Sequence, residues 1–118
     1  MLEADNINKN DASNFYDSET NGSKEAIQGG GLVMLDFWST HCGPCKSLIP
    51  LLNEIAGKYP ELSILKIKIE ENDSLAEEYD VRSVPALLLF KDGKNIDRLL
   101  GKSPFVMIDN FIKKHSDT

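Results

Sequence analysis

The chain has 118 residues, 41% hydrophobic and 27% charged, which suits one domain with its own core and excludes a disordered polymer. A formal net charge of −6 argues against nucleic acid or an anionic membrane as partner. No apolar run approaches the roughly 18 residues of a spanning helix, and Met1-Leu2-Glu3-Ala4-Asp5 lacks the basic and apolar parts of a secretory leader. The expected location is therefore the cytoplasm, where thiols are kept reduced.

Residues 1–13 are polar, rich in Asn and Asp and without a period, and read as a flexible extension before a single domain over 14–118. Asn14-Phe15-Tyr16 gives a weak strand signal. Ser23 to Gln28 reads as a short helix with Ser23 as N-cap, stopped by Gly29-Gly30-Gly31. Leu32 to Trp38 is nearly continuous in apolar residues, as in a strand buried on both faces, with one charge, Asp36, inside it. From Pro44 to Tyr59 the period becomes helical: Leu48, Leu51, Leu52, Ile55 and Tyr59 fall on one stripe, and Pro50 should kink it.

Ser63 to Ile69 predicts a second central strand, with Leu65, Ile67 and Ile69 on one face and Ile64, Lys66 and Lys68 on the other. Asn72-Asp73-Ser74 offers caps for a short helix ending near Tyr79, with Ser74 and Glu77 matching a capping box. Ala86 to Phe90 is a third apolar strand. Asp92-Gly93 is a hairpin signal, returning the chain as an antiparallel strand over Asn95 to Leu100. Ser103-Pro104 predicts the start of a last helix, whose stripe is Phe105, Ile108, Phe111 and Ile112. The order calls for an α/β fold: a central mixed sheet of about five strands with helices on both faces.

Both cysteines, Cys42 and Cys45, lie where the first central strand passes into its helix. A Cys-x-x-Cys pair there points to reversible dithiol chemistry. Cys42 precedes the helix, where unpaired N–H groups and the positive end of the dipole favour a thiolate, so it is the expected nucleophile. Cys45 falls one turn inside, shielded, and placed to resolve a mixed disulfide. Two other readings compete. One is half of a zinc site, weakened because the remaining ligands are two histidines, one of them, His115, in a tail expected to fray. The other is a pair of inert buried thiols. Asp36 is costly in a buried strand, and desolvation should raise its pKa, which suits a proton acceptor for Cys45.

Leu35-Asp36-Phe37-Trp38, then His41-Cys42-Gly43-Pro44-Cys45-Lys46 and Pro50, resemble the thioredoxin family, and the likeness runs ungapped from about Val33 to Gly101. The resemblance implies a thioredoxin fold and protein-disulfide reduction through a redox-active Cys42–Cys45 pair. It also implies no bound cofactor and no metal, with electrons from NADPH through a flavoprotein thioredoxin reductase. The implied partners are protein disulfides and that reductase, with the protein a monomer. By the same resemblance Asp36 is the buried acid, Lys66 the lysine that tunes it, and the Val84–Pro85 bond is cis. His41, Gly43, Pro44, Val84, Pro85 and Gly101 would form the substrate-binding surface. His41 departs from the family, which usually has tryptophan there. The change removes apolar docking area and adds a titratable group. It motivates one alternative, a specialised reductase with a narrow client set; a redox-gated binding module is the other.

Overall fold

The run Leu32–Trp38 forms the middle strand, β2, of a five-stranded sheet in the computed structural model, which describes residues 12–116. Before it come β1 (Phe15–Ser18) and α1 (Thr20–Gln28). After it come α2 (Gly43–Lys58), β3 (Leu62–Lys68), a 3-10 turn (Ile69–Glu71) and α3 (Asp73–Glu78). A hairpin of β4 (Ala86–Lys91) and β5 (Lys94–Leu100) and then α4 (Phe105–Ser116) complete the order. The strands lie in the order β1-β3-β2-β4-β5. β1 and β2 run parallel to β3, whereas β4 is antiparallel to β2 and β5 to β4. The mixed sheet between helices expected from the sequence is the architecture observed.

β2 is apolar apart from Asp36 because each of its faces meets a different pair of helices. Leu32 and Met34 pack with Leu48, Leu52 and Ile55 of α2 and Ile108 and Ile112 of α4. Val33, Leu35 and Phe37 pack with Ile27 of α1 and Leu75 and Ala76 of α3. Successive strand side chains alternate between faces, so Asp36 follows Met34 onto the side covered by α2. There it is 1% exposed. At the hairpin, Asp92 (φ 50°) and Gly93 (φ 89°) both adopt the left-handed conformation that a tight two-residue turn demands, as Asp-Gly predicts.

Several boundaries differ from expectation, each for a tertiary reason. α1 starts at Thr20, not Ser23, which is buried inside it; Glu19 at its N-cap makes no side-chain bond. The cap comes from far along the chain: Asn72 Oδ1 accepts the Thr20 N–H (2.8 Å) and hydroxyl (3.0 Å), while Asn72 Nδ2 donates to the Lys68 carbonyl (2.8 Å). Asn72, not Ser74, thus precedes α3, and with its side chain spent on α1 no capping box forms. β3 ends at Lys68, where its partner β2 ends at Trp38, and Ile69 opens the 3-10 turn. The hydroxyl of Ser103 donates to the Gly101 carbonyl (3.5 Å), and α4 begins at Phe105. His115 is not frayed: its Nε2 lies 2.8 Å from Asp97 Oδ2, and its carbonyl accepts from Lys91 Nζ (3.3 Å).

α2 continues as one helix through Pro50. Its far end is held by the start of the described chain. Asn14 Nδ2 donates to the carbonyls of Ala56 (3.0 Å), Tyr59 (3.1 Å) and Leu62 (2.6 Å). The Ala12 N–H donates to Asn53 Oδ1 (2.8 Å). Of the segment expected to be a flexible extension, residues 1–11 lie outside the described residues.

Candidate active site

The sheet register brings four connections to one end of the molecule. Phe37 faces Ala86, and Ala86 faces Leu100, so the loop after β2, the entry to β4 and the exit from β5 emerge side by side. On the other flank Trp38 faces Lys68, which places the turn after β3 there too.

Cys42 stands at the N-cap of α2, with Pro44 in the first turn as predicted. The two sulfurs are joined, 2.12 Å apart, and their Cα atoms are 5.3 Å apart. The Cys45 N–H donates to Cys42 Sγ at 3.1 Å, so the helix terminus points a backbone donor at the first sulfur. Cys42 is partly exposed, Cys45 is 1% exposed, and Gly43 and Pro44 are exposed between them.

On the sheet face covered by α2, neither carboxylate oxygen of Asp36 has a hydrogen-bond partner. Burial pushes its pKa up to about 7, against the opposing pull of the Lys66 ammonium. Lys66 is the register neighbour of Asp36 in β3. Its Nζ lies 3.6 Å from Asp17 Oδ1 and 4.9 Å above the Phe15 ring. Lys66 therefore acts on Asp36 through space while pairing directly with β1. Asp17 carries no signal in the sequence, because the strand pattern of β1 is short and weak. Lys66 and Trp38 also line a 580 Å³ surface depression together with Asp17, Ser18, Glu19, Lys68, Glu71 and Asn72.

The Val84–Pro85 bond is cis. The Pro85 carbonyl accepts the N–H of Gly101 (2.9 Å), whose φ of +84° suits a residue without Cβ. Pro85 and Gly101 are thus tied together. Beside them Leu100 is 55% exposed, and His41 stands exposed in the loop before Cys42.

One residue of this end escaped the sequence reading. Glu70, in the turn after β3, accepts three hydrogen bonds on Oε2: from Ser39 Oγ (3.1 Å), the Thr40 N–H (3.1 Å) and Thr40 Oγ1 (2.7 Å). The Thr40 hydroxyl foremost, then the backbone N–H of Glu70 itself, the Thr40 N–H and Ser39 Oγ lower its pKa to about 2. An exposed glutamate beside Glu71 reads in sequence as part of a solvated face, and nothing in its spacing reveals the loop it holds.

Among the described residues no group of three or more His, Cys, Asp or Glu side chains is placed to hold a metal ion. No described helix is long and apolar enough to cross a membrane.

Known proteins share this arrangement. The thioredoxin family matches residues 15–114. The chain is 44% identical over 92 residues to a thioredoxin of Chlamydia pneumoniae, spanning 78% of this chain and 90% of that protein. It is 43% identical over 86 residues to a thioredoxin of Staphylococcus saprophyticus, spanning 72% and 83%. Its fold superposes on a mutant thioredoxin from Halobacterium salinarum with a TM-score of 0.80 at 28% identity, covering 88% of this chain and 91% of that one. Plasmodium falciparum thioredoxin gives a TM-score of 0.79 at 26% identity, covering 86% and 98%. With nearly all of the described chain inside the family match, this protein belongs to the thioredoxin family and is a protein-disulfide oxidoreductase, working by thiol–disulfide exchange.

Proposed function

We propose that the protein acts as a reductase of protein disulfides, with Cys42 as nucleophile and Cys45 as resolving thiol. The observation that carries this reading is the asymmetry of the pair: one sulfur reachable at a helix N-terminus, the other buried in the helix that covers the sheet face bearing Asp36, whose carboxyl is poised near neutrality. The Cys42 thiolate attacks one sulfur of the substrate disulfide, forming a mixed disulfide and releasing the first substrate thiolate. Asp36 takes the proton of Cys45, whose thiolate attacks Cys42 Sγ, closes the Cys42–Cys45 bond and releases the second substrate thiolate. Two electrons pass from the pair to the substrate. Lys66 tunes Asp36 by its charge.

His41, Gly43, Pro44, Val84, Pro85 and Gly101 would form the docking surface, supported by their gathering at one end of the sheet. In this reading no cofactor is bound, and a flavoprotein thioredoxin reductase passes electrons from NADPH to the disulfide. The protein would work as a cytoplasmic monomer. The test is dithiothreitol-driven reduction of insulin by wild type, Cys42→Ser and Cys45→Ser, with the reduction potential of the pair. We expect turnover in wild type, none in either variant, a trapped mixed disulfide only with Cys45→Ser, and a reducing potential. An oxidising potential would reverse the direction assigned.

A further inference from the structure

The loop between β2 and α2 is short, yet its conformation decides where Cys42 sits relative to the N–H groups of α2. Within the loop, the Ser39 carbonyl accepts the Cys42 N–H (3.2 Å), and Ser39 Oγ lies 3.4 Å from the His41 N–H. Ser39 is therefore the hinge from which both His41 and Cys42 hang. Ser39 and Thr40 are fastened in turn from outside the loop, by three donors converging on the single oxygen Glu70 Oε2.

We infer that Glu70 is a positioning residue for the exchange reaction: by gripping Ser39 and Thr40 it sets Cys42 Sγ against the Cys45 N–H. The inference rests on the assignment of Cys42 as the attacking thiol. Hydrogen bonds to an ionised carboxylate are about twice as strong as neutral ones, which suits an exposed clamp that must hold in water. Glu70 is ionised at neutral pH, and its depressed pKa keeps the clamp charged into the acid range as well.

The clamp and the charge of Glu70 act on Cys42 in opposite directions, which makes the inference testable. A carboxylate at this end of the molecule disfavours a thiolate, so loss of its charge alone lowers the Cys42 thiol pKa. Loss of the clamp lets Sγ leave the helix N-terminus and raises it. The experiment titrates the reduced protein by iodoacetamide alkylation, with peptide mapping to identify the modified cysteine, in wild type, Glu70→Gln and Glu70→Ala. Glutamine keeps a carbonyl acceptor for the same donors. We expect a rise of about half a unit or more in Glu70→Ala, with proportionately slower attack near pH 7, and a return to the wild-type value or below in Glu70→Gln. Should Glu70→Ala fail to fold, Ser39→Ala/Thr40→Val removes two of the three bonds from the other side and should raise the pKa likewise. A Cys42 pKa unchanged or lowered when the clamp is removed, or raised equally by Gln and Ala, overturns the inference. Alkylation appearing first at Cys45 in wild type overturns instead the assignment on which it rests.

Discussion

Asp36 is where burial and charge conflict most directly. The free carboxyl titrates near 3.9 in an unfolded chain, and in the folded protein it is pushed up to about 7. A raised carboxyl pKa means that the folded state binds the proton more tightly, so the contribution of Asp36 to stability is full below about pH 4. It declines as pH rises towards 7 and levels off above. Three units correspond to at most about 4 kcal/mol. Asp36→Asn should remove this slope: in urea denaturation of the oxidised protein the variant should gain on wild type between pH 5 and 7 and change little more by pH 9. The same variant should resolve mixed disulfides about a hundredfold more slowly in stopped flow, the low end of the scale for losing a general base. His41 poses a milder question, since its side chain is exposed beside the attacking sulfur. His41→Trp adds apolar area where substrate would dock, and we expect KM for insulin to fall about threefold with kcat within twofold. A large change in kcat would instead tie the imidazole to the chemistry. Asp36 and the cysteines were legible because a charge in an apolar run and a Cys pair at a helix start are anomalies with few explanations. Glu70 was not, because a surface glutamate is the commonest of residues and its partners lie some thirty positions away in sequence.

The same contrast appears among the elements. The strands and helices with strong periods, β2, α2, β4 and α4, stand close to where their patterns put them. Those defined by partners elsewhere moved. β1 is short, lies at the edge of the sheet and exposes Tyr16 and Asp17; it exists because β3 offers it a parallel edge. The start of α1 is invisible locally because its capping side chain belongs to Asn72, 52 positions further along the chain. Asn72 is 5% exposed and joins α1 to the end of β3 through one amide. Asn72→Ala should therefore cost about 1–3 kcal/mol, as for a buried amide whose partners are left unpaired. It should lower the urea midpoint without altering the slope. A loss no larger than that of an exposed alanine substitution would show that water replaces the amide.

Across the whole molecule, the sheet separates two apolar compartments, one under α2 and α4 and the other under α1 and α3. The redox bond stiffens only a small part of this body, since the cysteines are three positions apart. For so short a loop the chain-entropy account gives the oxidised form an advantage of about 2 kcal/mol. Urea titrations with and without reductant should differ by that amount, and a much larger gap would mean that reduction loosens the packing around Cys45. The far end of α2, pinned by Ala12 and Asn14, has a practical consequence. A helix of 16 residues spans roughly 24 Å, so Ala12 and Asn14 sit well away from Cys42. An affinity tag or resin attached upstream of Ala12 would present the sulfur outward, and a column of Cys45→Ser protein immobilised that way is the natural bait for fishing its clients from an extract.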